Sequence, residues 1–184
     1  MIKSIKHYKE NVLTRDLLLK QKSVNVMEVP TFEKVSLSLS KKEALINSNK
    51  LFIPLLLLKL ISGQKPSIAK SKKSVAQFKL REGKAIGGQV TLRNGALYSF
   101  LDKFVYVILP QLIEDKNKKF KVNKSTVNFG IEDISIFPEL ESQYELLRTS
   151  QGLNITIDTK NKNRKMPYFL FNGLKIPVQK KKGI

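Results

Sequence analysis

Few residues in this sequence of 184 could carry covalent or acid–base chemistry. There is no cysteine, which excludes disulfides, thiol catalysis and cysteine-based metal sites. The single histidine, His7, lies near the N-terminus, which argues against a histidine-centred triad or a zinc site. Glu139 and Glu141 are expected to share a face of an extended segment, but no acid–base partner accompanies them. The sequence therefore predicts no enzyme, no metal site and no cofactor.

A cluster of glycines suggests phosphate binding as a second kind of chemistry. Gly83 and Lys84 are similar to the end of a phosphate-binding loop, but Phe78 stands where the first glycine of such a loop is required. The spacing from Gly83 to Gly87 and Gly88 does not fit a dinucleotide fingerprint either. We interpret these glycines as making a basic stretch easy to bend.

Charge is the strongest signal in the composition. Thirty-four Lys and Arg residues against fifteen Asp and Glu give a formal net charge of +19. A polyanion is the expected partner, nucleic acid first and an anionic membrane surface as the alternative. Eight basic residues and one acid lie within 64–93, whereas 131–149 carries five acids and one base. The acidic stretch, with Glu139 and Glu141, is predicted to face a basic protein rather than RNA.

Hydrophobic periodicity places these residues on elements. Alternation of apolar and polar residues predicts strands over 32–40, 89–93, 126–131 and 153–159. Helical spacing predicts a basic helix over 3–22 with Ile5, Tyr8, Val12 and Leu13 on one stripe, and we weigh a solvated face equally with an RNA-contacting one.

Two more helices are predicted from the same spacing. One follows a cap at Asn47 or Ser48, is kinked by Pro54 and ends at Ser62-Gly63. The other carries an apolar stripe over 97–112 that Pro110 ends or kinks. Residues 114–124 are predicted to form a loop. The longest apolar run, 51–61, is shorter than the roughly 20 residues that span a membrane.

These elements predict an α+β fold. We expect one domain over 1–184, in which an antiparallel sheet of four to five strands packs helices on one face and shows a polar, RNA-facing surface on the other. A basic N-terminal helix (1–24), a basic loop and strand (64–93) and a basic C-terminal segment (160–184) belong to it. The polar face holds Ser36, Ser38, Ser40, Gln89, Thr91 and Arg93. Its hydroxyls and amides suit phosphates and ribose hydroxyls, although a merely solvated face is the alternative.

Residues 61–93 (ISGQKPSIAKSKKSVAQFKLREGKAIGGQVTLR) closely resemble the fifth protein of the large ribosomal subunit in its bacterial form, the L-five family. Further motifs of that family follow in register at 25–30, 98–103, 128–131, 136–139 and 152–157. The resemblance covers about residues 8–178.

The resemblance implies a structural protein in the central protuberance of the large subunit. It implies binding to 5S rRNA, or to an rRNA segment that replaces it, and contacts with large-subunit rRNA and neighbouring central-protuberance proteins. It also implies contacts with the P-site tRNA and with a basic protein of the small-subunit head. A free RNA chaperone or assembly factor of the same fold is the alternative.

Site residues follow from the resemblance only where the motifs match. Gln64, Lys65, Thr91 and Arg93 match its rRNA-contacting surface, whereas Ser38 and Ser40 replace Asn and Gly. The family's tRNA-facing loop matches at Lys70, Lys72, Lys73, Ser74, Val75, Ala76 and Phe78. We expect that loop, residues 70–84, to be mobile in the free protein because six basic residues repel one another, with an apolar tip folded back on the body as the alternative.

The bias toward Lys, Asn and Ile indicates an A+T-rich genome. With the divergence from the family at 114–124, it favours a mitochondrial member that acts in the matrix, with a plastid or a bacterial cytoplasm as alternatives. Because family motifs begin close to the N-terminus, we expect little room for a transit peptide and a gene carried by the organelle.

Overall fold

A computed structural model of the chain describes residues 4–21, 25–40, 48–78, 80–115, 120–123, 125–143, 152–160 and 166–179. Within these residues it is an α+β protein with four helices and a seven-stranded sheet. The chain divides into two compact units. The first comprises Met1–Val35, Leu92–Phe129 and Thr156–Ile184, and the second comprises Ser36–Thr91 and Gly130–Ile155.

The strands are β1 (Thr31–Ser40), β2 (Ser67–Lys70), β3 (Ala85–Leu92), β4 (Phe120–Asn123), β5 (Thr126–Ile131), β6 (Leu153–Lys160) and β7 (Val178–Gln179). They pair in the order β2-β3-β1-β6-β5-β4-β7. The first five in this order form the predicted antiparallel sheet, so the predicted fold class is confirmed. Short β4 and β7 extend it, and β7 runs parallel to β4.

Helix α1 begins as Ile5–Tyr8, passes through a π-helical segment, Lys9–Leu13, and continues as Thr14–Gln21. Helix α2 is Phe52–Ser62. Helix α3 likewise runs as Asn94–Lys103, a π-helical segment Phe104–Ile108, and Leu109–Asp115. Helix α4 is Met166–Gly173. Short 3₁₀ segments are Val26–Glu28, Ser48–Leu51, Ala76–Phe78, Ile134–Ile136 and Pro138–Gln143.

The core of the first unit is aromatic. Phe104 of α3 packs edge-on against Phe129 of β5 with ring centroids 4.9 Å apart, and the centroid of the Phe120 ring lies 4.4 Å from that of Phe129. Phe32 of β1 contacts the rings of Tyr98 and Phe171. These contacts hold α3 and α4 against the strands of this unit.

In the second unit, α2 packs on β3 through a glycine. A Cβ at Gly88 would lie 2.8 Å from the δ-carbons of both Leu55 and Leu58. Gly87 is tighter, because a Cβ there would overlap the carbonyl oxygen of Leu39 and lie 2.9 Å from the Cα of Ser40. Both glycines allow close packing of β3. The strand is also irregular beside them, because Ala69 pairs with Gly87 whereas Lys70 pairs with Ala85, which leaves one extra residue in β3. Gly83 does occupy a turn, with φ of +78°.

Pro54 and Pro110, which were predicted to kink or end a helix, both lie within helices. Pro54 lies in the first turn of α2. A backbone N–H in the first turn has no acceptor within the helix, so its absence in proline costs no helical hydrogen bond. Pro110 does not end α3, which continues to Asp115. The π-helical segment precedes it, with Leu109 N–H bonded to the Phe104 carbonyl, so the missing donor falls where the hydrogen-bond register changes. Asn47 lies outside the described residues. Helix α2 ends at Ser62 and Gly63, as predicted, and the structure shows Gly63 in the left-handed conformation.

Two more predictions need correction, and the C-terminal segment gains detail. The π-helical segment rotates the buried stripe of α1, so Val12 is exposed while Leu17 is buried beside Ile5 and Leu13. The predicted loop over 114–124 contains β4. The basic C-terminal segment contains α4 and β7, and its buried Leu170 and Phe171 belong to the core of the first unit.

Candidate nucleic-acid interface

The second unit presents a face of short polar side chains on β1 and β3. Ser36 and Ser38 are half-buried and Ser40 is exposed, while Leu37 and Leu39 between them are buried. On β3, Gln89 is exposed and Thr91 is half-buried, on the side opposite Val90. We call these five polar residues the polar strand face. The strand alternation predicted from the sequence is confirmed, and it brings hydroxyl and amide groups to one surface.

The edge strand β2 joins this surface in register. Ser67 pairs with Gln89, and the Ser67 hydroxyl donates a hydrogen bond of 2.9 Å to the Gln89 carbonyl oxygen. Just before β2, Gln64 and Lys65 are exposed after the turn at Gly63. The structure therefore places both predicted rRNA-contacting residues of this turn in solvent.

Residues 70–84 form an extension of the β2–β3 hairpin, which we call the basic hairpin. At its base, Ser71 N–H donates to the Lys84 carbonyl over 2.8 Å, and Gly83 N–H donates to the Ser71 carbonyl over 3.0 Å. Further out, Val75 and Leu80 exchange two backbone hydrogen bonds of 2.9 and 3.1 Å. These backbone hydrogen bonds oppose the repulsion between the lysines of the hairpin. The sequence did not predict them.

The predicted tRNA-contacting residues lie on the basic hairpin, where the Ser74 hydroxyl donates a hydrogen bond of 3.0 Å to the Leu80 carbonyl oxygen. Those whose side chains are described are exposed: Lys70, Lys72, Lys73, Ser74, Val75 and Ala76. The side chain of Phe78 lies outside the described residues, although its backbone closes the 3₁₀ segment Ala76–Phe78. Of the apolar tip that could instead fold back onto the body, Val75 is 37% exposed and Ala76 is exposed. That alternative also includes Phe78, so it stays open.

Glu139 and Glu141 lie on the 3₁₀ segment Pro138–Gln143, not in the extended segment that we expected. With three residues per turn, side chains two positions apart point in different directions. Accordingly Glu141 is exposed and Glu139 is half-buried. The described part of the acidic stretch adds the exposed Glu132 and Asp133.

The first unit contributes charged groups of its own. Lys34 Nζ lies 3.5 Å from Asp158 Oδ2. Asp158 lies between two buried residues of β6, whereas Lys34 lies between the exposed Glu33 and the buried Val35. Sequence reasoning did not single out Lys34, and the alternation that places Ser36 does not extend to it, because Phe32 is buried. Arg93 is exposed at the start of α3.

Among the described residues, no cluster of three or more His, Asp or Glu side chains is placed to hold a metal ion. Within the same residues, no helix has both the length and the apolar character that crossing a membrane requires.

Two family models match consecutive parts of this chain. A family model described as ribosomal protein L5 matches residues 25–81, and a model described as the C-terminus of the same ribosomal family matches residues 85–178. The second begins at the first residue of β3.

Several relatives match over nearly their whole length. The large ribosomal subunit protein uL5m of Reclinomonas americana is 38% identical over 178 residues, covering 96% of this chain and 97% of that protein. The uL5 protein of Syntrophotalea carbinolica is 43% identical over 159 residues, covering 85% of each chain. The uL5 protein of Malacoplasma penetrans is 38% identical over 186 residues, covering 98% and 97%.

Mitochondrial and bacterial members are therefore similarly close to this chain. The family resemblance predicted from the sequence is confirmed by two models that match from residue 25 to residue 178 and by relatives of matching length. The chain belongs to the ribosomal protein L5 family, and it is a structural constituent of the large ribosomal subunit rather than an enzyme.

Proposed function

We propose that the polar strand face binds rRNA of the central protuberance, either 5S rRNA or the rRNA segment that replaces it. The observation that carries this proposal is the row of small hydroxyl and amide side chains on β1 and β3, at the root of the basic hairpin. Small side chains let an RNA backbone approach the strands closely. Their donors and acceptors then meet ribose hydroxyls and phosphate oxygens without reading base sequence.

Neighbouring cations supply the charge that this surface lacks. Lys65 is exposed just before β2, whose Ser67 pairs with Gln89, and Arg93 follows Thr91 by two residues. We assign Lys65 and Arg93 to phosphate contacts, because an exposed cation that meets a polyanion releases condensed counterions.

A photo-crosslinking residue in place of Gln89, in chains assembled into large subunits, tests the proposal. We expect crosslinks to 5S rRNA or to one other rRNA segment, and none at the same residue type placed at the exposed Glu141. Crosslinks from position 89 to protein alone would contradict it.

For the basic hairpin we propose contact with the backbone of P-site tRNA. Its exposed Lys72 and Lys73 would bind phosphates, which every tRNA presents, while the hydrogen bonds at its base hold its direction. Removing residues 72–78 is expected to leave incorporation into the large subunit nearly intact and to weaken P-site retention of all tRNAs alike. Lys72→Gln with Lys73→Gln is the milder variant that keeps the hairpin. A defect confined to one tRNA, or lost incorporation, would refute the assignment.

We propose that the acidic stretch meets a basic protein of the small-subunit head. Its exposed carboxylates, Glu141 foremost, form a negative patch in a chain of net charge +19. Reversing Glu139 and Glu141 together to Lys should weaken subunit association and leave rRNA binding unchanged, and Glu141→Lys alone should carry most of the effect because Glu139 is half-buried. An equal loss of rRNA binding would point to RNA as the neighbour instead.

The favoured compartment is the mitochondrial matrix, within the mitochondrial ribosome. The A+T-rich residue usage and the similarity to a uL5m protein support it, and similar bacterial proteins leave the bacterial cytoplasm as the alternative. Sedimentation of the tagged chain with ribosomes from purified mitochondria, and not with those of the surrounding cytoplasm, is the expected result.

A further inference from the structure

An apolar groove of about 680 Å³ lies in the first unit, and none of the residues assigned above lines it. Its described lining comes from α1, from the π-helical segment and last turns of α3, and from the turn after α4. The residues that matter for the argument are Ile5, Tyr8, Val105, Tyr106, Leu109 and Lys175. We call it the helix groove. Its volume is in the range of pockets that bind ligands or peptide side chains.

Two π-helical segments and one helix end border this groove. Tyr8 directly precedes the π-helical segment of α1, and Tyr106 lies within that of α3. Lys175 follows α4 with a φ of +60°; its N–H donates to the Asn172 carbonyl oxygen over 2.9 Å, and the Ile176 N–H donates to the Phe171 carbonyl oxygen over 3.1 Å. These two hydrogen bonds are the usual left-handed end of a helix, and they fix where Lys175 lies beside the groove. π-helical segments are frequent at functional sites, and both of those in the described residues adjoin the groove.

The chemistry of the helix groove differs from that of the rest of the surface. Ile5 and Leu109 are buried at its floor, whereas Tyr106 remains 47% exposed. Lys175 is exposed and is the one cation among the described residues that line it, in a chain of net charge +19. Binding of an RNA backbone depends on several cations that neutralise its phosphates, and aliphatic side chains add little to that binding. An apolar protein segment gains from burial there, and a carboxylate on that segment would meet Lys175.

We propose that the helix groove receives a segment of a neighbouring protein of the large subunit, which inserts an apolar or aromatic side chain between α1 and α3 and places a carboxylate beside Lys175. This contact would tie α1 of the chain to a protein neighbour, separately from the rRNA and tRNA contacts proposed above.

Chains with p-benzoylphenylalanine in place of Tyr106, assembled into large subunits and irradiated, test the proposal. We expect a crosslink to a second ribosomal protein, identified by mass spectrometry. Leu19 on α1, which is 80% exposed and does not line the groove, is the control position for the same photoreactive residue. A crosslink from position 106 to rRNA, or a protein crosslink no stronger than that from position 19, would overturn the proposal.

Charge reversal tests the carboxylate. Lys175→Glu should lower the yield of the protein crosslink from position 106 by about 1.5- to 5-fold, the equivalent of one surface ion pair. Lys6→Glu, an exposed reversal on α1 that does not line the groove, should leave the yield unchanged. Equal yields from the Lys175→Glu and Lys6→Glu chains would overturn the assignment of an acidic partner.

Discussion

Thr91 shows how one side chain in the polar strand face separates folding from RNA binding. It lies half-buried between the buried Val90 and Leu92, so its hydroxyl points to the side opposite the core. A hydroxyl at this position changes the free energy of folding little, because water can hydrogen-bond to it. It contributes to binding only when an RNA group replaces that water.

Thr91→Val keeps the branched side chain that suits a strand and removes the hydroxyl, and Thr91→Leu does so with more bulk. We predict little change in stability and a loss of about 1–3 kcal/mol in rRNA affinity, because an RNA donor or acceptor loses its partner. Filter binding to the rRNA fragment and denaturant unfolding measure the two quantities. Thr91→Ser, which retains the hydroxyl, should bind like the parent chain. Lost stability with unchanged affinity per folded molecule would show that the hydroxyl serves the fold.

Lys9 is a cation that the fold has nearly removed from solvent. It lies in the π-helical segment of α1 with its side chain almost wholly buried. Burial lowers the pKa of Lys9 below its ordinary value, and the neighbouring Glu10 partly opposes this change. In the same unit, burial raises the pKa of Tyr98, and Glu10 acts in the same direction. Folding therefore shifts both groups in the direction of their neutral forms.

A lowered pKa makes the stability contribution of Lys9 pH-dependent. Below its folded pKa the cost of burying the charge is fully present, and the cost disappears as the pH rises from that value toward the unfolded value of 10.5. Lys9→Met should therefore raise the midpoint of unfolding at pH 7, and its advantage over the parent chain should shrink as the pH approaches 10. A constant difference across that range would show that the ammonium is solvated in the folded chain.

At the scale of elements, α1 is fastened at its first turn by a residue 97 positions away in the chain. The backbone N–H of Ile5 donates to Asp102 Oδ1 over 2.7 Å, and the Ser4 hydroxyl donates to Asp102 Oδ2 over 3.2 Å. A carboxylate at this end satisfies free N–H groups and complements the helix dipole. Asp102 thus acts as a tertiary cap that joins α1 to α3.

Asp102→Ala is predicted to cost about 0.5–2 kcal/mol of stability, the usual effect of losing an N-terminal cap. Asp16→Ala on the same helix is the matched control, since Asp16 forms an exposed pair with Lys20 at 3.1 Å that contributes at most about 0.5 kcal/mol. Denaturant unfolding compares the two, and hydrogen exchange in the first turn of α1 should accelerate only in Asp102→Ala. Equal effects of both substitutions would argue against the cap.

At the scale of the whole molecule, net charge dominates the expected behaviour with RNA. A chain at +19 releases condensed counterions when it binds, so its affinity should depend steeply on salt. For six to ten phosphate contacts we expect a loss on the order of 10³-fold or more between about 50 and 200 mM salt. Titrations of an rRNA fragment at several salt concentrations measure the slope.

A lysine that contacts phosphate contributes about one unit to that slope. Lys65→Gln should therefore flatten the salt dependence of rRNA binding, and Lys20→Gln, which replaces the partner of Asp16 on α1, should not. An affinity nearly independent of salt would exclude phosphate contacts as its main source.

The sequence by itself determined the strands that form the polar strand face. Ser36 to Ser40 and Gln89 to Leu92 alternate with a period of two residues, which the pleat of a strand converts directly into two faces. It also determined that the basic hairpin is exposed, since its lysines are costly to bury, and it identified the family through motifs in register.

Only the tertiary structure decided features that depend on distant parts of the chain. Strands β4 and β7 lie in segments predicted to be a loop and a basic C-terminal segment, and they form because Phe120 pairs with Val178 far along the chain. Gly87 is required because β3 approaches Leu39 of β1 too closely for any Cβ. The cap at Asp102 and the helix groove likewise join residues that are far apart in the chain. Side-chain periodicity is local and can be recognised along the chain, whereas close approach and pairing between distant segments exist only once the chain has folded.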